Sequence, residues 1–295
     1  MQVNRENLWS DWRHYPGWKP DYPSFKETLD GGQAFCWFQV SENSYEGIVV
    51  NIPLRLKWES PHHILWSSPQ NIAATADTFL KSYLGEEASY QKYYDNLPWR
   101  SDQHLNRCMK QFPKLRILNQ PFEETLLGFL CSATKQIVQI KEMLKLLRQR
   151  FGQSVATDFA RLPTWHELTQ VSEQALRDCK FGFRAANIIK SAAVIEQSPD
   201  LFKNLSSLSY SETKKILCTL PGVGEKVADC VTLFGCGKLD AFPVDTWITK
   251  AMKHHYRLED WKSPQIAHFG RKHFGNFAGL AQQFLFAWER NQSGK

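Results

Sequence analysis

Between Phe35 and about Ser67 the chain alternates apolar and polar positions in short runs rich in aromatic and β-branched residues. Phe35–Val40, Tyr45–Val50, Leu54–Trp58 and Ile64–Trp66 have the period of two that puts successive side chains on opposite faces of a strand. Ser41-Glu42-Asn43-Ser44 and Asn51-Ile52-Pro53 read as loops between them, so the pattern predicts an antiparallel meander. Residues 1–20 are rich in Trp and read as irregular. From Asn71 onward the period becomes helical. Ile137, Ile140, Leu144, Leu147 and Phe151 form one apolar stripe, and Ile188, Ala192 and Ile195 another. Both stripes read as core.

The helical part contains one distinctive turn. Ser209 and Glu212 have capping-box spacing ahead of Ile216 and Leu217, which predicts a short helix to about Cys218. After Gly222-Val223-Gly224, the residues Val227, Val231 and Phe234 recur at i, i+4, i+7 and predict a second helix that stops near Gly235 and Gly237. Helix, Gly-Val-Gly turn, helix is the layout of a helix-hairpin-helix element. Its backbone N–H groups and the positive helix end suit one phosphate of a nucleic-acid backbone. A plain connector between helices fits the same turn. The expected fold is α+β. A sheet domain with flanking helices takes residues 1–115 and a helical body takes 116–295, with one lobe at about 137–208 and the hairpin lobe at about 209–295.

Lys226 falls in the first turn of the second helix, and Pro243-Val244-Asp245 follows nineteen positions later. One reading of Lys226 is a solvated lysine paired with Asp229 at i+3. The other is a nucleophile. At a reference pKa near 10.4 only about one amine in 2,500 is neutral at pH 7, so a nucleophilic lysine needs help, and the positive end of a helix is where a cation is least favoured. Asp245 precedes a helical run from Thr246 to His255 and reads as its N-cap, where the same dipole would hold it ionised. A poised amine and a fixed carboxylate suit attack on a sugar carbon that develops positive charge. A cap with no further role is the alternative for Asp245.

Composition narrows the classes. The 295 residues carry a net charge of +6, and the stretch from Arg107 to Gly152 holds nine Lys/Arg against three Glu, a basic face suited to a polyanion. Seven cysteines without CxxC spacing, and no secretory signal, predict reduced thiols in an intracellular protein. The adjacent pairs His62-His63 and His254-His255 have no partner at ligand spacing, so no metal is expected. No apolar run approaches the ~18 residues of a membrane span.

Leu220 to Cys230 (LPGVGEKVADC) with Pro243-Val244-Asp245 resembles the helix-hairpin-helix, Gly-Pro-Asp superfamily of DNA glycosylases, and its 8-oxoguanine branch in particular. Further resemblances run in order along the chain from about residue 22 to about residue 290. They are Gly32-Gln33-Ala34-Phe35-Cys36-Trp37, the stretch from Arg116-Ile117-Leu118-Asn119-Gln120-Pro121 to Phe129-Leu130-Cys131-Ser132, Gly182-Phe183-Arg184-Ala185, and Ala278-Gly279-Leu280-Ala281-Gln282. The resemblance implies a bifunctional glycosylase and AP lyase that flips 8-oxoguanine out of duplex DNA. It implies Lys226 as the nucleophile that forms a Schiff base before β-elimination, and Asp245 as the group that stabilises the cationic sugar. It puts the Gly32 carbonyl against the N7–H that distinguishes the lesion from guanine, Gln282 on the base's Watson–Crick edge, and Cys230 and Phe286 on its two faces. Gly222, Val223, Gly224 and Trp247 fall where the family contacts phosphate. No cofactor is implied, and the iron–sulfur cluster of endonuclease-III-type relatives has no cysteines beyond Cys236 to hold it. A monomer acting on the cell's DNA, cytoplasmic and nucleoid-associated, with double-stranded DNA as partner and no membrane, is the expected setting.

The chain departs from the branch around the orphaned base. Thr134 stands where the eukaryotic type has an asparagine that fills the gap, Gln139 replaces an arginine that contacts the orphaned cytosine, and Trp247 replaces a histidine. Phe183-Arg184 retains the aromatic-Arg pair. Lesion recognition is therefore expected to be intact, and the reading of the opposite base relaxed. The alternatives are a glycosylase of the same superfamily for another oxidised base, and a non-catalytic DNA-binding module. Lys226 disfavours the alkylated-base type, which works without a lysine.

Overall fold

The computed structural model describes residues 9–292, without the side chains of Glu87 and Ala88. Five antiparallel strands, β1 (Arg13–Tyr15), β2 (Trp37–Ser41), β3 (Ser44–Val49), β4 (Ile52–Glu59) and β5 (His63–Ser67), form one sheet in the order β1-β5-β4-β3-β2. The expected meander is its last four strands. Residues 1–8 of the stretch expected to be irregular lie outside the described residues, and within the rest β1 pairs Arg13 with Trp66 and Tyr15 with Ile64. Three residues are too few for an alternation to show in sequence, and their partner lies fifty positions away. Asn51-Ile52-Pro53 is not all loop. Val49 pairs with Ile52 across a two-residue turn, and Pro53 pairs with Ile48 where β5 has not yet begun its pairing at Arg55. Such an edge position is where a sheet tolerates proline.

One helix lies between β1 and β2, α1 (Tyr22–Asp30), and the others follow the sheet: α2 (Ala73–Leu84), α3 (Glu87–Asn96), α4 (Gln103–Gln111), α5 (Phe122–Leu130) and α6 (Ile137–Phe151). A small hairpin, β6 (Ser154–Ala156) with β7 (Phe159–Ala160), leads to α7 (Trp165–Leu168), α8 (Glu173–Asp178) and α9 (Arg184–Gln197). The last lobe holds α10 (Tyr210–Leu217), α11 (Glu225–Phe234), α12 (Thr246–Tyr256), α13 (Ser263–Phe274) and α14 (Ala278–Gln292). Both expected stripes are buried faces, on α6 and α9. Helix α14 is buried on almost every side and takes Gln282, Gln283 and Glu289 into the interior with its apolar residues. No helix among the described residues is long and apolar enough to cross a membrane.

The apolar residues form two cores. One lies under the sheet, around Trp18, Phe25, Trp37, Tyr45 and Trp66. The other fills the helical body and takes in Tyr90, Tyr94, Leu105, Phe112 and Leu115, so residues 90–115, grouped by sequence with the sheet, pack with the helices. Phe35, expected in a strand, precedes β2 and enters the helical core against Phe129, with ring centroids 5.3 Å apart.

Arg116 closes the seam between the cores. Its side chain is fully buried, and its guanidinium donates to the carbonyls of Leu84 (3.0 Å), Gly85 (2.8 Å) and Gly17 (2.7 Å). The guanidinium spreads its donors over separate nitrogens, whereas a lysine ammonium concentrates its three on one. The Gly85 carbonyl also accepts from Tyr15 Oη (3.1 Å), so Arg116→Lys is expected to leave about one of these carbonyls without a donor and to lower stability by about 1–3 kcal/mol. Urea unfolding measures this, and a loss below about 1 kcal/mol would show that water or relaxation replaces the fork.

Candidate active site

The hairpin forms as its residues dictate. Ser209 and Glu212 make the reciprocal capping box that starts α10, and Gly224 precedes α11. Val223 is buried and pins the turn, while Gly222 and Gly224 are exposed on either side of it. Gly222 has φ +83°, and a Cβ there would lie 2.7 Å from the Asn187 amide, so the turn needs this glycine. Gly224 differs: its φ of −88° is open to any residue, and a Cβ would meet nothing within 4 Å. Only a bound partner could make a side chain at Gly224 obstructive.

Lys226 lies one residue into α11, partly buried. Its pairing with Asp229 does not occur. Asp229 is buried and accepts from Tyr210 Oη (2.6 Å) and Lys214 Nζ (3.1 Å), and Lys214 also reaches Glu225. Lys226 Nζ instead donates to Ser132 Oγ at 3.1 Å and sits 5.5 Å from the centroid of the Phe129 ring. Ser132 Oγ donates onward to the Phe129 carbonyl (2.7 Å). Sequence reasoning placed Ser132 inside a motif but gave it no role, because its contact spans 94 positions.

Asp245 is the N-cap of α12 and accepts the Ile248 N–H at 2.8 Å. Burial pushes its carboxyl above the ordinary carboxylate value, against the opposing pull of that N–H and of Lys226. Burial thus works against the helix-end dipole expected to hold this carboxyl ionised, and outweighs it in the direction of the shift. Four residues beyond Lys226, burial pushes the Cys230 thiol up to about 12, so this sulfur is neutral at ordinary pH and no nucleophile.

The base-pocket residues assemble on the other wall. Gln282 is buried on α14, its Nε2 donating to the carbonyl of Pro243 (3.2 Å), two residues before Asp245, and its Oε1 accepting from Gln283 (2.7 Å). Phe286 lies one turn on. Gly32 has φ +97°, and a Cβ there would be 2.7 Å from Ile137 and 4.0 Å from Phe286. The sheet domain's Gly32 loop, the start of α6 and the α14 face therefore meet at one point. A cavity of about 620 Å³ lined by Phe122, Glu124, Arg161, Trp165, Phe202 and Cys236 shares no residue with this site.

The four residues expected at the orphaned base are split in their surroundings. Thr134 and Gln139 are exposed, and Gln139 Oε1 caps α6 by accepting the Gln136 N–H at 3.1 Å. Phe183 is exposed at 58%, with the Arg184 guanidinium 4.3 Å from its ring. The Arg184 side chain itself turns inward. It donates to Thr134 Oγ1 (2.9 Å), to the Ala133 carbonyl and to the Phe181 carbonyl (3.3 Å). Thr134 has φ +53°, a left-handed conformation that a β-branched residue seldom adopts. Trp247, partly buried in the first turn of α12, has Lys250 Nζ 5.9 Å from its ring.

Comparison with known proteins places this geometry. Residues 19–126 match the 8-oxoguanine DNA glycosylase N-terminal domain, and residues 127–272 match the HhH-GPD superfamily of base excision DNA repair proteins. An N-glycosylase/DNA lyase of Arabidopsis thaliana is 27% identical over 281 residues, which are 89% of this chain and 76% of that protein. A probable N-glycosylase/DNA lyase of Methanothermobacter thermautotrophicus is 28% identical over 63% of this chain and 66% of its own length. The crystal structure of a Clostridium acetobutylicum 8-oxoguanine glycosylase/lyase, bound to DNA with cytosine opposite the lesion, is similar with a TM-score of 0.83 at 26% identity, over 97% of this chain and 99% of that one.

The raised carboxyl of Asp245 carries a stability consequence. The folded state binds its proton more tightly than the unfolded chain, so its contribution is most favourable in acid and is lost as pH rises through the folded value. Asp245→Asn keeps an oxygen for the Ile248 N–H and removes the buried charge. The variant is expected to melt no lower than the parent at pH 7, with its advantage shrinking as the pH falls toward the ordinary carboxylate range. Thermal melts across pH check this, and a variant less stable at pH 7 by more than about 0.5 kcal/mol would make the carboxylate a structural asset.

Proposed function

We propose that this chain, which belongs to the HhH-GPD superfamily of base excision DNA repair proteins and carries its 8-oxoguanine DNA glycosylase N-terminal domain, excises 8-oxoguanine through a Schiff base on Lys226. The observation that carries the reading is the state of Lys226. Among the described residues its ammonium has a hydroxyl partner and no carboxylate at ion-pair distance, because Asp229 is taken by Tyr210 and Lys214. A lysine held by a hydroxyl can turn toward an incoming carbon without breaking a salt bridge.

The steps follow from that placement. The flipped nucleotide enters between α11 and α14. Lys226 Nζ, once deprotonated, attacks C1′, and the N-glycosidic bond breaks with its electron pair leaving on the base. Asp245 offsets the positive charge that develops on the sugar, a role that favours a carboxylate kept from water. The C1′–O4′ bond then opens, O4′ taking up a proton and the lysine nitrogen forming the C1′ imine, which lowers the barrier to loss of a C2′ proton, and the bond from C3′ to the 3′ phosphate oxygen breaks with its electron pair leaving on the phosphate. At the base, a backbone carbonyl at Gly32 bonds the lesion's N7–H and repels the lone pair of guanine N7. The tight space against Ile137 and Phe286 supports that reading of Gly32, since any side chain would fill it. Gln282 reads the Watson–Crick edge while Cys230 and Phe286 sandwich the ring. Gly222, Val223 and Gly224 with Trp247 hold the DNA backbone.

Borohydride is expected to trap the parent protein on an 8-oxoguanine duplex. Lys226→Gln should bind the same duplex and yield no adduct, which also separates an enzyme from a DNA-binding module. A normal adduct yield from Lys226→Gln would move the nucleophile elsewhere.

Opposite-base reading is proposed to be relaxed. Thr134 and Gln139 lack the donors of asparagine and arginine, each good contact being worth about 1–3 kcal/mol. Arg184, the retained third group, spends its guanidinium on Thr134, Ala133 and Phe181. Single-turnover excision opposite cytosine is expected to exceed that opposite adenine, guanine or thymine by well under about 100-fold, a figure near the lower end of what two such contacts supply. A preference of ~100-fold or more would mean that other residues read the orphaned base.

A further inference from the structure

At the end of α12 remote from Asp245, three side chains from three helices converge. His104 stands near the start of α4, His255 near the end of α12, and Glu289 on α14, one turn beyond Phe286. One donor atom from each lies within 4.8 Å of the other two. Sequence gave His255 no partner at ligand spacing; the fold brings one from 151 positions away. His255 Nε2 lies 2.9 Å from Glu289 Oε1, and the second carboxylate oxygen lies 3.3 Å from Lys250 Nζ. His104 is 5% exposed, stacked on His255 at 3.6 Å and walled by the edges of Tyr256 and Trp288. Its Nε2 faces Cys108 Sγ at 3.6 Å, and its Nδ1 is buried without a hydrogen-bond partner.

A buried ring nitrogen left without a partner costs about 1–3 kcal/mol, so its persistence asks what satisfies it. We propose that His104, His255 and Glu289 form a site for one divalent transition metal ion of the Zn²⁺ class. Two imidazoles and one carboxylate are a donor set that such borderline ions prefer over Mg²⁺ or Ca²⁺. The ion takes the place of the proton shared by His255 and Glu289, and Lys250 keeps the other carboxylate oxygen. Donors around a tetrahedral ion with bonds of about 2.0–2.1 Å sit about 3.3 Å apart. The cluster must therefore close by up to about 1.5 Å, and the ring stack must open; His255, exposed to solvent, is the side chain free to turn. The ion would brace α4, α12 and α14. Two of these helices carry Asp245 and the Gln282–Phe286 face, and His255 lies about 15 Å along α12 from Asp245, so the brace supports the site without touching it.

The full chain, stripped with a chelator and dialysed, is to be titrated with ZnCl₂ by calorimetry and with Co²⁺ by absorption. One ion per chain is expected, with the d–d bands of nitrogen and oxygen ligation and a raised melting temperature. His255→Ala should weaken binding at least about tenfold and lose the thermal shift, whereas His254→Ala should bind like the parent. His255 is exposed, so its variant should fold, and circular dichroism verifies that. The proposal is overturned by any one of four results. These are no stoichiometric binding to the parent, unchanged affinity in His255→Ala, equal loss in His254→Ala, or a thiolate-to-cobalt charge-transfer band that would put the ion on a cysteine.

Discussion

A single buried amide holds the two halves of the site in register. Gln33 is 1% exposed, and its side chain behaves like a peptide group inserted beside the segment before α5. Nε2 donates to the Arg116 carbonyl and Oε1 accepts the Leu118 N–H, both at 2.8 Å, while the Gln33 carbonyl accepts from Gln120 at 2.6 Å. Each bond is worth only about 1 kcal/mol net, but leaving any of these groups dry and unpaired costs about 1–3 kcal/mol, so the loop has one acceptable position. Gly32 is therefore fixed against Ile137 and Phe286. Two ion pairs repeat the constraint: Lys141 of α6 with Asp30, and Glu27 of α1 with Arg290 of α14. The sheet domain is thus tied to the same two helices that its glycine faces.

On the opposite wall the structure accepts local cost where chemistry is proposed. Asp245 is partly buried at a cost to its charged form, and Thr134 holds a left-handed backbone that suits asparagine better. Such violations cluster at functional sites and are sustained by surroundings that over-determine them. Here the surroundings are identifiable. The Ile248 N–H and the end of α12 hold Asp245, and the buried Arg184 guanidinium holds Thr134. Behind α11, the network of Tyr210, Lys214 and Asp229 removes the one carboxylate that sequence spacing offered to Lys226.

What could be read in the sequence is what local physics decides. The capping box at Ser209, the helix that starts after Gly224, the Asp245 cap, and the stripes of α6 and α9 each depend on neighbours within one or two turns, and all appear as expected. The longer strands were legible for the same reason. What stayed hidden is set by partners far along the chain. Strand β1 needs β5; Lys226 needs Ser132; His255 needs His104; and Phe35 leaves its expected strand because the helical core offers its ring Phe129. Arg184 illustrates the limit best. The resemblance gave it as half of a retained aromatic-Arg pair, yet three acceptors on the 133–134 loop and at Phe181 turn it inward, and no local pattern encodes them.

This division of supports has an evolutionary and mechanical consequence. The wall proposed for the lesion rests on Gln33, Gln282 and the packing of α14, while the one proposed for the orphaned base rests on the loop from Ser132 to Gln136 and on Arg184. The two meet at the start of α6, where Ile137 lies against Gly32 and Gln139 caps the helix. Thr134 and Gln139 are both exposed to solvent. On the proposed reading, the chain can therefore change what it demands of the partner base without altering the fit of the damaged one. Ser132 is the exception, because it belongs to the reading loop and also holds Lys226. Any shift of that loop on DNA reaches the lysine through one hydroxyl, and that contact is where partner recognition and bond cleavage would be coupled.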